Sequence, residues 1–188
     1  MKDLVKSLAL IPILALPPSA ASADPLPSGT TFQSTAIRAQ QADEGANPGM
    51  LWVEAGAKLW GRTEGSAGKS CAACHGPAEQ SMKGVASRYP AVEPTTGHLL
   101  NLETRINLCR TKNQKAAPLA YESGELLGLA AFVARQSLGL PIGVRIDGAA
   151  APFYEQGKAF FYRRRGQLNL SCAQCHVDNA GRKLRADT

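Results

Sequence analysis

Two copies of the pattern Cys-x-x-Cys-His constrain this chain more than any other feature of its sequence. They occupy residues 71–75 and 172–176. This spacing is the attachment signature of c-type haem, because two thiols on one turn of backbone can each add to a haem vinyl group. The adjacent imidazole then reaches the iron as an axial ligand. The sequence therefore predicts two covalently bound haem c groups, held by Cys71, Cys74, Cys172 and Cys175, with His75 and His176 on the iron.

Three other chemistries use paired cysteines. Zinc ribbons separate their pairs by about 15–20 residues, whereas these pairs begin at positions 71 and 172. A thioredoxin-like redox pair would follow a strand of a βαβ unit, and neither copy does. Ordinary disulfides are the third alternative. Neither a redox pair nor a disulfide explains why histidine follows both copies.

The motifs belong to a longer internal repeat, because residues 56–75 align with residues 157–176 without a gap. Matches outside the motifs are Gly56/Gly157, Arg62/Arg163, Gly65/Gly166 and Ser70/Ser171. We therefore predict a mostly α-helical protein with two tandem cytochrome c-like haem modules, the second incomplete. Only 12 residues follow His176, so we expect a fragment, a truncated gene, or a partner chain that supplies the missing wall.

Helical patterns flank the first motif. Asn47 followed by Pro48 predicts the start of one helix, with proline at its first position. A second helix is predicted from about Ser123, a candidate N-cap, to Leu138. The long stretch between the motif and this second helix is expected to be irregular. Two such helices would clamp the edges of a haem.

The N-terminal 23 residues read as a signal peptide. Lys2 and Lys6 precede a short apolar stretch, and small residues end at Ala23. The stretch is too short for a membrane span of about 20 residues, so we expect no stable membrane insertion and a periplasmic product. The other predicted segments are an N-terminal extension (24–46), module 1 (47–141), a linker (142–151) and module 2 (152–188).

Four side chains beyond the signal peptide could bind iron opposite the histidines: Met50, Met82, His98 and Cys109. Met82 follows the first motif too closely to wrap around a haem easily, and His98 is more typical of a surface or capping histidine. Cys109 is the odd fifth cysteine. Arg105 and Arg110 flank it and would favour the thiolate, which is the form that binds metal. The alternative is an inert buried thiol.

The net charge is modest, with 21 Lys and Arg against 15 Asp and Glu. No basic run or stacking platform indicates nucleic-acid binding. Basic clusters do flank the second motif, and clustered guanidinium groups attract dianions. A solvated basic face or pairing with haem propionates explains them equally well. The clusters are Arg163, Arg164 and Arg165 before the motif, and Arg182, Lys183 and Arg185 after it.

Three blocks of sequence resemble SoxA, the catalytic cytochrome subunit of the SoxAX complex. They are residues 68–76, 105–111 and 166–176, and residues 179–185 continue the likeness. The resemblance implies that His75 and Cys109 are the axial ligands of haem 1. It also implies that haem 2 is the active-site haem, whose second ligand is a modified cysteine beyond Thr188. No catalytic residue is therefore expected within this chain.

The resemblance further implies a reaction and its partners. The family joins thiosulfate oxidatively to a cysteine of the carrier SoxYZ, as an L-cysteine S-thiosulfotransferase, and passes the electrons to a SoxX-like monohaem cytochrome c. Two other functions remain open: a dihaem electron carrier without its own catalytic site, and a truncated non-catalytic paralogue. A pure carrier usually has Met or His as sixth ligand, and methionine is scarce here.

Overall fold

The computed structural model describes residues 28–182, so the predicted signal peptide and the basic residues Lys183 and Arg185 lie outside it. Helices dominate, which confirms the predicted fold class. They are α1 (Thr35–Ala42), α2 (Met50–Gly61), α3 (Cys71–His75), α4 (Ala78–Ser81), α5 (Leu102–Cys109), α6 (Gly124–Arg135) and α7 (Ala151–Tyr162). Two strands, β1 (Ala91–Val92) and β2 (Leu99–Leu100), pair antiparallel with Ala91 opposite Leu100.

Shorter helical turns join these elements. Three are 3₁₀ turns, at Gly29–Phe32, Ala86–Arg88 and Gly148–Ala150, and two are π turns, at Arg110–Gln114 and Gln174–Asp178. The first π turn continues α5 directly, and the second continues the helical turn of the second haem motif. Within residues 28–182, no helix is both long and apolar enough to cross a bilayer.

Helices α2 and α6 cross at very short range. A Cβ built on Gly56 of α2 would lie 2.0 Å from the carbonyl oxygen of Gly128 in α6. Only glycine at position 56 therefore permits this crossing. Beside it, Trp60, Phe132 and Val133 form a buried cluster with Ala78. The crossing consequently brings α2 and α6 together at the helix that carries the first haem motif.

The predicted helix boundaries are partly wrong. The first helix begins at Met50 rather than at Pro48, because the side-chain oxygen of Asn47 accepts a hydrogen bond from the Gly49 amide (2.9 Å) and forms a turn. Ser123 does cap α6, accepting a hydrogen bond from the Leu126 amide (3.3 Å). This helix ends at Arg135, and residues 136–140 continue as tight turns.

The stretch between the first motif and α6 is not irregular, contrary to the sequence expectation. It contains α4, the β1–β2 pair and α5 with its π turn. Asn101 starts α5 by accepting a hydrogen bond from the Thr104 amide (2.8 Å), and Glu103 lies in the first turn. An N-cap residue followed by an acidic first turn is a helix-start signal. The sequence carries this signal, but the apolar run behind it is too short for periodicity to reveal.

The internal repeat has a similar backbone before the motif in both copies, although the first motif is an α-helix and most of the second is a π turn. Helix α7 precedes the second motif as α2 precedes the first, and it begins at Ala151, the last residue of the predicted linker. An isolated bridge joins Glu64 to Lys69 in one copy and Arg165 to Leu170 in the other. The copies differ in packing, because a Cβ on Gly157 would meet nothing within 4 Å.

This difference gives a matched pair of substitutions. Gly56→Ala is expected to destabilise the chain by about 1–3 kcal/mol or more, because the added methyl forces α2 and α6 apart. Gly157→Ala, at the repeat-equivalent position, is expected to stabilise it by about 0.5–1 kcal/mol through helix propensity. Urea unfolding of both variants measures the two effects. Equal stability of the two variants would show that the close crossing does not hold the domain together.

A candidate haem site and its repeat

A cavity of about 360 Å³ opens between α2, α3, α5 and α6. Its volume lies within the range of about 300–1,000 Å³ that is usual for cofactor and ligand pockets. Much of its wall is apolar, which suits the hydrocarbon faces of a porphyrin. The apolar lining includes Trp60, Leu102, Ile106, Leu129 and Val133.

The first Cys-x-x-Cys-His motif forms the short helix α3 on the cavity wall. Ser70 caps this helix by accepting a hydrogen bond from the Ala73 amide (3.0 Å). Cys71, Cys74 and His75 all line the cavity. The His75 ring lies 5.7 Å from the Trp60 ring, centroid to centroid, and the Trp60 indole N–H donates to the Gly76 carbonyl (3.1 Å). Trp60 therefore packs beside the imidazole and is itself anchored to the backbone just after the motif.

The structure separates the four possible sixth ligands. Cys109, at the end of α5, lines the same cavity as the motif, and so does Met82. Met82 is thus nearer to the site than its sequence position suggested. His98 is exposed beside the β1–β2 turn and does not line the cavity, and neither does Met50 at the start of α2.

The residues around Cys109 hold the end of α5 in position. The Asn107 side-chain amide donates to the Leu119 carbonyl (3.0 Å), and its oxygen accepts from the Leu119 amide (2.8 Å). The Arg110 guanidinium donates twice to the Ala117 carbonyl (3.3 Å each). These bonds hold the loop that follows the π turn against the end of α5. The Ile-Asn-Leu-Cys-Arg block therefore has a structural role in addition to supplying a thiol.

The buried charge of Arg110 is paired with a carboxylate. Arg110 is 7% exposed and forms an ion pair with Glu64, which precedes the first motif. Burial opposes ionisation of Glu64, but hydrogen bonds from Arg110 and Arg62 outweigh it and hold the pKa of this carboxyl below its ordinary value. The pair ties α5 to the motif loop. Burial also raises the pKa of the Cys71 thiol, so this thiol is neutral in the haem-free chain.

Gln114 is a site residue that the sequence analysis missed. It is 5% exposed, and its side-chain N–H group donates to the Lys69 carbonyl (3.0 Å) and lies 3.8 Å from Cys71 Sγ. A Cβ on Gly65 would lie 2.1 Å from the Gln114 carbonyl oxygen, so this glycine allows the motif loop to dock on the π turn. No local pattern marks Gln114, because its partners are about 45 residues away in sequence.

The second motif repeats the first in outline. Phe161 replaces Trp60, and its ring lies 6.5 Å from the His176 ring. The Gln174 side chain accepts a hydrogen bond from the Ser171 amide (2.8 Å) at the start of the motif turn. Cys172 and Cys175 are both exposed. The second motif thus presents the same three functional groups on a more open surface.

Two of the three arginines before the second motif bind the protein itself. Arg164 donates to the Asn169 carbonyl (2.7 Å), and Arg165 donates to the Phe160 carbonyl and stacks on the Phe160 ring. They hold the loop that leads into the motif. Among them, Arg163 has no hydrogen bond from its guanidinium within the described residues. This cluster therefore has a structural role in addition to any attraction for anions.

Neither a zinc-type ligand cluster nor a disulfide is present among residues 28–182. Residues 28–182 contain all five cysteines, and no group of three or more His, Cys, Asp or Glu side chains in that range converges on a metal position. The five thiols are unpaired in the structure. Two thiols and an imidazole beside an apolar cavity, with Cys109 also in its lining, are groups that fit a bound haem c.

Comparison with known proteins agrees with this chemistry. Residues 55–142 match the family model of the SoxA/TsdA cytochrome c domain. The chain is 43% identical over 161 residues to the L-cysteine S-thiosulfotransferase subunit SoxA of Pseudaminobacter salicylatoxidans, covering 85% of this chain and 56% of that protein. It is 38% identical over 164 residues to the SoxA of Rhodovulum sulfidophilum, covering 87% and 57%.

A solved structure shows the same fold. The crystal structure of SoxXA from Paracoccus pantotrophus contains a chain that is 39% identical, with a TM-score of 0.79, over 85% of this chain and 60% of that chain. The fold and the cavity thus define a c-type cytochrome domain, which binds haem c covalently. Over most of its own length, the chain is similar to SoxA proteins. It spans a little over half the length of the curated relatives that it matches.

Replacing Cys109 tests its place opposite His75. In the haem-loaded protein, Cys109→Ala is expected to remove the thiolate-type spectrum of haem 1, because the sulfur ligand is lost while Cys71 and Cys74 still attach the haem. Visible and electron paramagnetic resonance spectra measure the change, and Met82→Leu is the matched control on the same cavity wall. A spectrum that changes in Met82→Leu and not in Cys109→Ala would refute the assignment.

Replacing Glu64 tests the buried ion pair. Glu64→Gln is expected to cost about 2–3 kcal/mol at neutral pH, somewhat below the about 3–5 kcal/mol for a fully buried pair, because Arg110 is left uncompensated. The folded-state pKa of Glu64 is lowered, so its stabilising contribution is present above the unfolded-state pKa and is lost as the pH falls through the folded-state value.

Urea unfolding at several pH values measures this effect. The stability difference between wild type and Glu64→Gln is expected to shrink as the pH drops below 4.5, the ordinary value for the group. Asp147→Asn, in an exposed pair with Arg145, is the control and should change stability little. A constant difference between wild type and Glu64→Gln at all pH values would contradict the account.

Proposed function

We propose that this chain is the haem-binding part of a SoxA-type subunit. Such a subunit joins thiosulfate oxidatively to a cysteine of a carrier protein. The observation that supports this most strongly is the cavity that brings Cys71, Cys74 and His75 together with Cys109. An electron carrier needs a haem cavity too, but a cysteine as the second iron ligand is the arrangement that the SoxA resemblance implies. The similarity to SoxA proteins and the cavity therefore support the same function.

Haem 1 would be bound by the first motif, with His75 and Cys109 as its axial ligands. A bound haem supplies a one-electron iron couple at this position. The protein side chains exclude water with apolar groups, fix the imidazole against Trp60, and hold the end of α5 through Asn107. Thiolate ligation lowers a haem potential relative to methionine ligation. We therefore expect haem 1 to have a low reduction potential.

Haem 2 would be bound by Cys172, Cys175 and His176. Support comes from the repeated local backbone and from the ring of Phe161 beside His176, which matches Trp60 beside His75. In this proposal four of the five cysteines attach haem and Cys109 binds iron. No cysteine is then left for sulfur chemistry, and no catalytic residue is assigned to this chain.

The proposed reaction forms a sulfur–sulfur bond between thiosulfate and a cysteine of a SoxYZ-type carrier. The carrier thiol loses its proton, and two electrons leave in single steps to c-type cytochrome acceptors. A SoxX-like monohaem cytochrome c would be the stable partner and the first acceptor. Arg163 and Arg182 extend the positive surface beside the second motif, where an anionic substrate would be attracted. The protein would function in the periplasm, the compartment to which proteins that carry haem c are exported.

The native complex provides the test. Protein isolated from its source organism with antibodies against this chain would be incubated with thiosulfate, reduced carrier and an oxidised cytochrome c. We expect a carrier adduct, detected by intact mass, together with two cytochromes reduced per adduct. A carrier whose acceptor cysteine is replaced by serine is the control. Reversible haem reduction without any adduct would support the electron-carrier alternative and overturn the proposed activity.

A further inference from the structure

One arginine in the cavity of haem 1 has no partner in the described part of the chain. Arg105 and Arg110 both line this cavity. The charge of Arg110 is matched by Glu64, and its guanidinium also bonds to a backbone carbonyl. The ion pairs of residues 28–182 do not include Arg105. Its guanidinium is exposed at the cavity and available to an anion.

The positions of Cys71 and Cys74 indicate which end of the cavity would receive the vinyl edge of a haem. The thioether bonds would form at these two thiols, and Gln114 lies 3.8 Å from Cys71 Sγ. Gln114 is the last residue of the π turn that continues α5. The C-terminal end of this helical segment therefore lies against the attachment site.

The propionates of a haem lie on the edge of the ring opposite the vinyl groups. With the vinyl edge at Cys71 and Cys74, they would face away from Gln114, toward the N-terminal half of α5. Arg105 lies in that half, four residues before Cys109 and so on the same helix face, about 6 Å away along the axis. From its N-terminal to its C-terminal end, the segment thus carries Arg105, then Cys109, then Gln114 beside the attachment site.

We propose that Arg105 binds a propionate of haem 1 and, by neutralising it, raises the reduction potential of this haem. Guanidinium groups bind carboxylates through two parallel hydrogen bonds, which gives orientation as well as charge. Leu102 and Ile106 beside it are apolar, so water screens the pair less than at an open surface. An unpaired propionate would favour the oxidised iron. The inference rests on the proposed position of haem 1.

The test compares variants of the haem-loaded full chain. Arg105→Gln is expected to lower the midpoint potential of haem 1, with about a tenfold fall in its reduction equilibrium constant, or 59 mV for one electron. Arg105→Lys, which keeps the charge, should recover most of that loss. Lys58→Gln removes one positive charge from the exposed face of α2, outside this cavity, and should leave the potential unchanged. Redox titration followed by electron paramagnetic resonance resolves the two haems.

Each outcome decides the proposal. An unchanged potential in Arg105→Gln, or an equal fall in Lys58→Gln, would overturn it. If Arg105→Gln accumulates without haem, restored haem loading in Arg105→Lys would support the charge interaction, and failure of both variants would contradict it. A wild-type chain without haem at Cys71 and Cys74 would defeat the proposed function as well, whereas an unchanged potential with haem attached defeats only the role of Arg105.

Discussion

The close crossing of α2 and α6 is the contact on which the rest of the domain depends. Because Gly56 has no side chain, the backbone of α2 can rest on the Gly128 carbonyl of α6. This places Trp60 between Phe132 and the imidazole of His75, with ring centroids 5.8 Å and 5.7 Å away. The two helices thereby form one wall of the cavity and position the His75 imidazole at the same time. A methyl group at position 56 would disturb packing and ligand geometry together.

The opposite wall depends on polar contacts rather than on helix packing. Asn107 and Arg110 bind backbone carbonyls of the following loop, and Arg110 also reaches back to Glu64 before the motif. Most buried polar groups in proteins are hydrogen-bonded, and these bonds hold the end of α5 in position. Cys109 lies between Asn107 and Arg110 in sequence. The backbone that carries its thiol is therefore held on both sides, which would preorganise the thiol as a metal ligand.

The sequence predicted which residues carry the chemistry of the site better than it predicted the contacts that position them. The Cys-x-x-Cys-His motifs, the repeat and the Ser123 cap were readable because each is a local pattern with a fixed spacing. The contribution of Gln114 was not readable, since it contacts Lys69 and Cys71 only after the chain has folded. Helix α5 was missed because eight residues are too few for periodicity to show. The second copy of the repeat has a similar backbone before its motif but lacks the helix crossing of the first copy. The sequence alone could not predict this difference between the two copies.

The identity of the iron ligand opposite His75 tests this account most directly. A structure determined with haem bound would show which side chain reaches the iron, since both Cys109 and Met82 line the cavity. The account predicts that Cys109 Sγ lies at bonding distance from the iron of haem 1, with the ring joined to Cys71 and Cys74. Iron bound instead by Met82 or by water, with Cys109 turned away, would contradict it.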